Sequence, residues 1–123
     1  MTTWTPEDRT LLSETYSLVL AAGDTGHPGV EIGMVVVDGA LYVRAYRGVD
    51  SRWYRAAREH GYGTIRVGAV RRDVLLTTGG IEPSEGLDAA FRAKYGPVAE
   101  ALVASPEARA ATIRIDPASV PAS

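Results

Sequence analysis

Asp38-Gly39 stands between two apolar runs of equal length, EIGMVVV at 31–37 and ALYVRAY at 40–46, and no other feature restricts folding so tightly. An Asp-Gly pair tolerates the positive φ angles of a two-residue turn, and that turn matches the twist of the strands it joins. A turn of this kind fixes the register. It pairs Val37 with Ala40, Val35 with Tyr42, Gly33 with Arg44 and Glu31 with Tyr46. Strand residues alternate between faces, so Ile32, Met34, Val36, Leu41, Val43 and Ala45 share one uniformly apolar face, the expected core face. The opposite face is mixed. On it Glu31 lies diagonal to Arg44, within reach of a long side chain. Gly33 leaves a gap opposite Arg44 that a ligand or another chain can enter.

The same reasoning extends along the chain. Thr5-Pro6 followed by Glu7 and Asp8 is a helix start, with a capping hydroxyl, proline at the first helical position and acids on the positive end of the dipole. That helix is expected to about Ser13. Residues 15–22 read as a strand and 24–29 as a turn-rich loop. Residues 50–60 read as a helix that Asp50 or Ser51 can cap and Gly61 can close. A second hairpin follows, 63–67 and 70–77 around Gly68-Ala69. A helix is expected over 85–95, with Leu87, Ala90, Phe91 and Lys94 at helical spacing. Gly96-Pro97 breaks it, and a further helical piece runs to about Ala104. Ser105-Pro106-Glu107 opens one short turn, 111–116 is a last strand, and 117–123 is a frayed tail. The expectation is one α+β domain over 1–123, with 1–14 as an N-terminal helix. It is a six-stranded, mainly antiparallel split β-barrel with three or four flanking helices.

Composition narrows the chemistry. The 123 residues include no cysteine and two histidines, which excludes disulfides, thiolate catalysis and cysteine-ligated metal. No metal site is expected. No run approaches the roughly 18 apolar residues that span a bilayer, and the start lacks a signal-peptide pattern, so the reading is cytoplasmic with no membrane partner. The net charge of −2 hides an asymmetry: residues 44–72 hold eight arginines against two acids, while both flanks are acidic. Arginine's planar fork suits phosphate or carboxylate, so the middle segment is a candidate anion site. Nucleic acid is not expected, because the chain is acidic overall and lacks a basic stripe with interleaved aromatics. A two-residue turn at 68–69 would set Arg66 directly opposite Arg71. Like charges so placed destabilise, and the expectation is a shifted or bulged register that separates them.

Four stretches, LYVRAYRGVDSRWYR at 41–55, AAFRAKYG at 89–96, SPEARAATIRI at 105–115 and the opening MTTWTPE, together resemble an uncharacterised, mostly actinobacterial family. That family is similar to the FMN-binding split β-barrel proteins and the deazaflavin-dependent nitroreductases. The resemblance implies a cofactor phosphate held at a strand end near a homodimer interface. The matching positions here are Arg44, Ala45, Tyr46, Arg47 and Gly48, with Trp53 beside the ring or bracing the loop. Where members often carry tryptophan this chain has Gly33, and Glu31 adds a carboxylate, which suggests a repurposed pocket.

Two catalytic readings follow, with a third beside them. One is a flavin- or deazaflavin-dependent oxidoreductase, in which the cofactor carries the hydride. The second is a cofactor-free isomerase, cyclase or lyase of secondary metabolism. In it Glu31 is acid or base, Arg44 stabilises oxyanion charge and Tyr46 orients the substrate. Gly33, Val35 and Tyr42 line the expected substrate pocket, and in the cofactor-free reading His27 can reach over it from the 24–29 loop as a second proton carrier. The third is a non-catalytic dimeric binding module. The partners expected are a small-molecule ligand and a second copy of the chain.

Overall fold

In the computed structural model, residues 4–23, 29–45, 48–78, 85–100 and 106–118 are described. Helix α1 spans Pro6–Glu14, and the Thr5 hydroxyl accepts from the Asp8 N–H at 3.1 Å. Strand β1 is Leu18–Ala22, β2 Val30–Ile32, β3 Val35–Val37 and β4 Ala40–Arg44. After a 3-10 turn at Gly48–Asp50, helix α2 runs Arg52–His60 and closes on Gly61. Neither expected cap acts through its side chain there; the Ser51 hydroxyl instead donates to the Gly48 carbonyl at 3.0 Å. Strands β5, Tyr62–Val67, and β6, Val70–Thr77, form the second hairpin. Helix α3 is Glu85–Tyr95, followed by a 3-10 turn at Gly96–Ala99. The expected helical continuation over 101–104 lies outside the described residues. Helix α4, Pro106–Ala110, leads into β7, Thr112–Pro117. The expected frayed tail therefore begins inside a strand: Pro117 pairs with Val74, and the Ala118 N–H donates to the Asp73 carbonyl at 2.9 Å.

The architecture is α+β, with four α-helices among the described residues around a curled antiparallel sheet of seven strands, not six. The extra strand arises because the run 30–37 divides at Gly33-Met34. Its first half, β2, pairs with β1, Glu31 opposite Val19. Its second half, β3, pairs with β4 as the turn dictates, Val35 opposite Tyr42 and Val37 opposite Ala40. The sheet order is β2-β1-β5-β6-β7-β4-β3, so the two halves of one run occupy opposite edges. Three Cα–Cα steps separate Ile32 from Val35, a span of about 10 Å at most. The edges must approach that closely, and the sheet curls into a half-barrel. The expected pair Gly33–Arg44 does not form, since β2 has left the hairpin, and Tyr46, the expected partner of Glu31, lies outside the described residues.

The interior follows the expected facing. Met34, Leu41, Val43 and Ala45 are buried, and Ile32 and Val36 pack partly buried against the same core. Trp4, which precedes α1, Leu12 on α1, and Tyr54 and Ala57 on α2 close this core. The Trp4 indole N–H donates to the Ile115 carbonyl at 3.0 Å. Helix α3 lies on the outer face of β3 and β4, where Leu87 and Phe91 bury Val35. The second hairpin keeps its unshifted register, with Arg66 directly opposite Arg71. The expected shift fails because both arginines are exposed, where water screens their repulsion, while the register buries Ile65, Val67, Val74 and Leu76 on the other face.

A strand that breaks between two sheet edges leaves backbone groups that need partners. Helix α3 supplies them. The Tyr95 hydroxyl accepts from the Met34 N–H at 2.9 Å and donates to the Tyr16 carbonyl at 2.6 Å. The Lys94 ammonium, on the chain's single lysine, donates to the Met34 carbonyl at 2.8 Å and the Leu12 carbonyl at 3.1 Å. Burial lowers the pKa of Lys94. Burial raises that of Tyr95 above its ordinary 10.0, against a smaller opposing effect of the Met34 backbone hydrogen bond.

The substitution Tyr95→Phe strands the Met34 N–H and is expected to cost about 1–3 kcal/mol in chemical denaturation at neutral pH. A raised folded pKa gives stability that is complete below the unfolded value and lost as pH rises through the folded one. The Tyr95 contribution is therefore expected to be lost as pH rises above 10, and Tyr95→Phe to lose less stability over that range than wild type, the opposite effect of Lys94 being common to both.

Candidate functional site

Arg44 closes β4 on the outer face of the sheet, opposite Thr112 on β7. Its side chain is fully buried. The guanidinium lies 5.2 Å from the centroid of the Phe91 ring, Nε donates to Thr112 Oγ1 at 3.0 Å, and Nη1 donates to Asp88 Oδ1 at 2.6 Å. The other Asp88 oxygen stands 3.6 Å from Nη2 of Arg109 on α4. Thr112 Oγ1 in turn donates to the Arg109 carbonyl at 2.8 Å, closing the end of α4. Asp88 thus bridges two guanidinium groups, one on β4 and one on α4. Arg44 is the buried member. Arg109 is 41 % exposed at its side chain, yet its Nε is buried and has no hydrogen-bond partner.

The loop that leaves β4 is packed against this cluster. Gly48 has φ +85°, and a Cβ there would stand 3.1 Å from Cβ of Glu107 on α4, so a side chain is excluded twice over. The Gly48 N–H donates to the Ala45 carbonyl at 2.8 Å, and the Ala45 N–H to the Ala111 carbonyl at 3.1 Å.

The grouping expected from the hairpin does not assemble. Glu31 is exposed on β2, where Oε2 accepts from the Ser17 hydroxyl at 3.0 Å, and β2 sits at the sheet edge opposite β3. The gap at Gly33 is filled by the protein itself: a Cβ there would lie 3.0 Å from the Tyr95 hydroxyl. Val35 is buried under α3, and Tyr42 is half-buried in the same cluster. Trp53 packs partly buried on the core. Tyr46, Arg47 and His27 lie outside the described residues.

A flavin phosphate does not fit the described residues of the expected set. The Arg44 side chain is enclosed and bound to Asp88 and Thr112, and the Ala45 and Gly48 N–H groups already donate to backbone carbonyls. Sequence reasoning missed Asp88, Arg109 and Thr112. Asp88, Phe91 and Tyr95 recur at helical spacing, so the signal for one continuous α3 face was present. The cross-strand place of Thr112 depends on a sheet order that local pattern does not specify.

Removing one partner of a buried ion pair leaves an uncompensated charge, so Asp88→Ala is expected to cost about 3–5 kcal/mol. Replacing both partners, Arg44→Met with Asp88→Leu, is expected to recover most of that loss in urea denaturation.

The family described as "Uncharacterized protein conserved in bacteria (DUF2255)" matches residues 17–115. No curated protein and no solved structure matches the chain. Among the described residues no helix is long and apolar enough to cross a membrane.

Proposed function

The chain belongs to the DUF2255 family of bacterial proteins, and we propose that it is a small-molecule-binding protein of split-barrel type whose ligand presents a phosphate or carboxylate to Arg109. The observation that carries this reading is the buried Nε of Arg109, a donor without an acceptor on a guanidinium that is otherwise partly exposed. A buried unsatisfied donor is uncommon and calls for a partner outside the chain. The exposed part of the same guanidinium gives an anion a way in, and a planar fork binds such groups in a bidentate manner. Arg44 then acts as support. It holds Asp88 in place, and Asp88 orients Arg109. The curled sheet agrees with a split barrel, whose interior here is filled by side chains, so the ligand sits outside the barrel at the α3–α4 corner.

Glu31 has no part in this reading, because it stands on the opposite sheet edge. A flavin phosphate belongs to the anion class proposed, and FMN is therefore one of the probes.

The test is a titration of the full chain with inorganic phosphate, phenyl phosphate, benzoate and FMN, followed by melting temperature and, for FMN, fluorescence quenching. At least one organic anion is expected to raise the melting temperature. Arg109→Met is expected to weaken its binding about tenfold or more, the loss of one charge-assisted hydrogen bond, while the free protein melts within a few degrees of wild type. Binding that is equal in Arg109→Met, or absent for all four probes, overturns the proposal.

A further inference from the structure

Near its C-terminal end helix α3 carries an amine. Lys94 is the chain's single lysine and is half-buried. It stands on the wall of an open pocket of about 360 Å³ formed by α1, β3 and α3, a volume in the range of small-molecule sites. Val35 and Val36 of β3 and Ala90 and Ala93 of α3 make the walls apolar, and Ser13 of α1 adds one hydroxyl. Among these described residues Lys94 is the one with an ionisable side chain.

The partners of the amine are two backbone carbonyls, Met34 at 2.8 Å and Leu12 at 3.1 Å. No ion pair among the described residues includes Lys94. The titratable group beside it is Tyr95, whose ring centroid lies 5.5 Å from Nζ and whose hydroxyl stands 3.1 Å from the same Met34 carbonyl. Burial raises the pKa of that phenol, so it stays neutral and offers the lysine no counter-charge.

The number of partners separates the two protonation states. An ammonium has three donors and finds two acceptors here, beside an apolar wall and with no carboxylate for its charge. A neutral amine has two N–H groups, and the two carbonyls accept both. Its nitrogen is tetrahedral. With those two hydrogen bonds and the bond to Cε fixed, the lone pair takes the one remaining direction. Burial lowers the pKa of Lys94 and so enlarges the neutral share. A desolvated lysine of this kind is a nucleophile toward carbonyl carbon. The walls select the ligand. A keto acid or a sugar phosphate needs a cation besides the reacting amine, and the lining residues supply none. A small uncharged aldehyde needs apolar contact and room, which they do supply.

We propose that Lys94 is a covalent binding site for small apolar aldehydes, which it holds as an imine in the pocket formed by α1, β3 and α3. The Nζ lone pair forms the C–N bond as the carbonyl π pair moves to oxygen, and the Ser13 hydroxyl is the group on the pocket wall that can donate to that oxygen. Both amine protons then leave with the oxygen as one water, and a C=N bond remains; nothing is oxidised or reduced. Protonated from solvent, the imine keeps one N–H for a carbonyl. The site shares no residue with the anion site at Arg109, so either can fail alone.

The test treats the full chain with benzaldehyde and sodium cyanoborohydride at neutral pH, where hydride fixes the imine as a secondary amine. Intact mass and peptide mapping locate the benzyl group, with N-acetyl-lysine amide in the same solution as reference. The same labelling in guanidinium chloride gives the rate of an unstructured Lys94. Relative to the reference, Lys94 is expected to label about tenfold or more faster in the folded chain than in the unfolded one. Glyoxylate, a charged aldehyde, is expected to show no such gain. Ala93→Phe, at an exposed position on the pocket wall, narrows the pocket and is expected to remove most of the gain, with far-UV circular dichroism to establish that the variant is folded. Lys94 that labels no faster in the folded chain is a structural amine, and the proposal is overturned on wild type alone. A gain that folded Ala93→Phe leaves intact overturns the assignment to this pocket, and an equal gain with glyoxylate overturns the assignment to apolar aldehydes.

Discussion

The structure depends on one short joint. The chain from Val30 to Val37 serves both edges of a single sheet, and only Gly33 and Met34 separate the two services. That constraint forces the curl and so creates an interior to fill. It also withdraws the Met34 N–H and carbonyl from any strand ladder. Their partners come from the last residues of α3, so the C-terminal end of that helix must reach the joint. With its end fixed there, the middle of α3 is fixed too. Asp88 lies seven residues upstream of Tyr95, about 10 Å along the helix axis, which sets its carboxylate over the end of β4. Arg44 is enclosed as a consequence. The joint, the lid and the buried ion pair are one arrangement.

Much of this was legible in the sequence, and the exceptions have physical causes. Turn chemistry at Asp38-Gly39 gave the pairing of β3 with β4, and capping signals gave α1 within a residue. At Gly68-Ala69 it located the hairpin, but the opposed arginines pointed to a shift that does not occur. The joint was hidden because curling preserves facing. Met34 points inward whether the run continues straight or changes edge, so its period of two is unbroken and only the partner strand changes. Glu31 was consequently assigned the right kind of position, on the outer face, beside the wrong neighbour. The second hairpin shows how magnitudes decide a register. A slip by one residue would separate Arg66 from Arg71, a repulsion worth about 1 kcal/mol or less between exposed groups. Slipping β6 in this way would also turn Val74 and Leu76 out to water, at roughly 1.5–3 kcal/mol each. Burial wins by a wide margin.

The arginine-rich middle segment illustrates a different limit. Eight arginines within 44–72 read as one anion site, but alternation and the curl send them to different places. Arg44 lies under α3. Arg72 faces the other way from Arg71 and pairs with Asp8 on α1, Nε to Oδ2 at 3.1 Å. Arg66 and Arg71 stand on the outer face of the second hairpin. Density of charge along a chain is therefore a poor guide to density in space once the segment is made of strands. The group with spare donor capacity, Arg109, comes from outside the segment altogether.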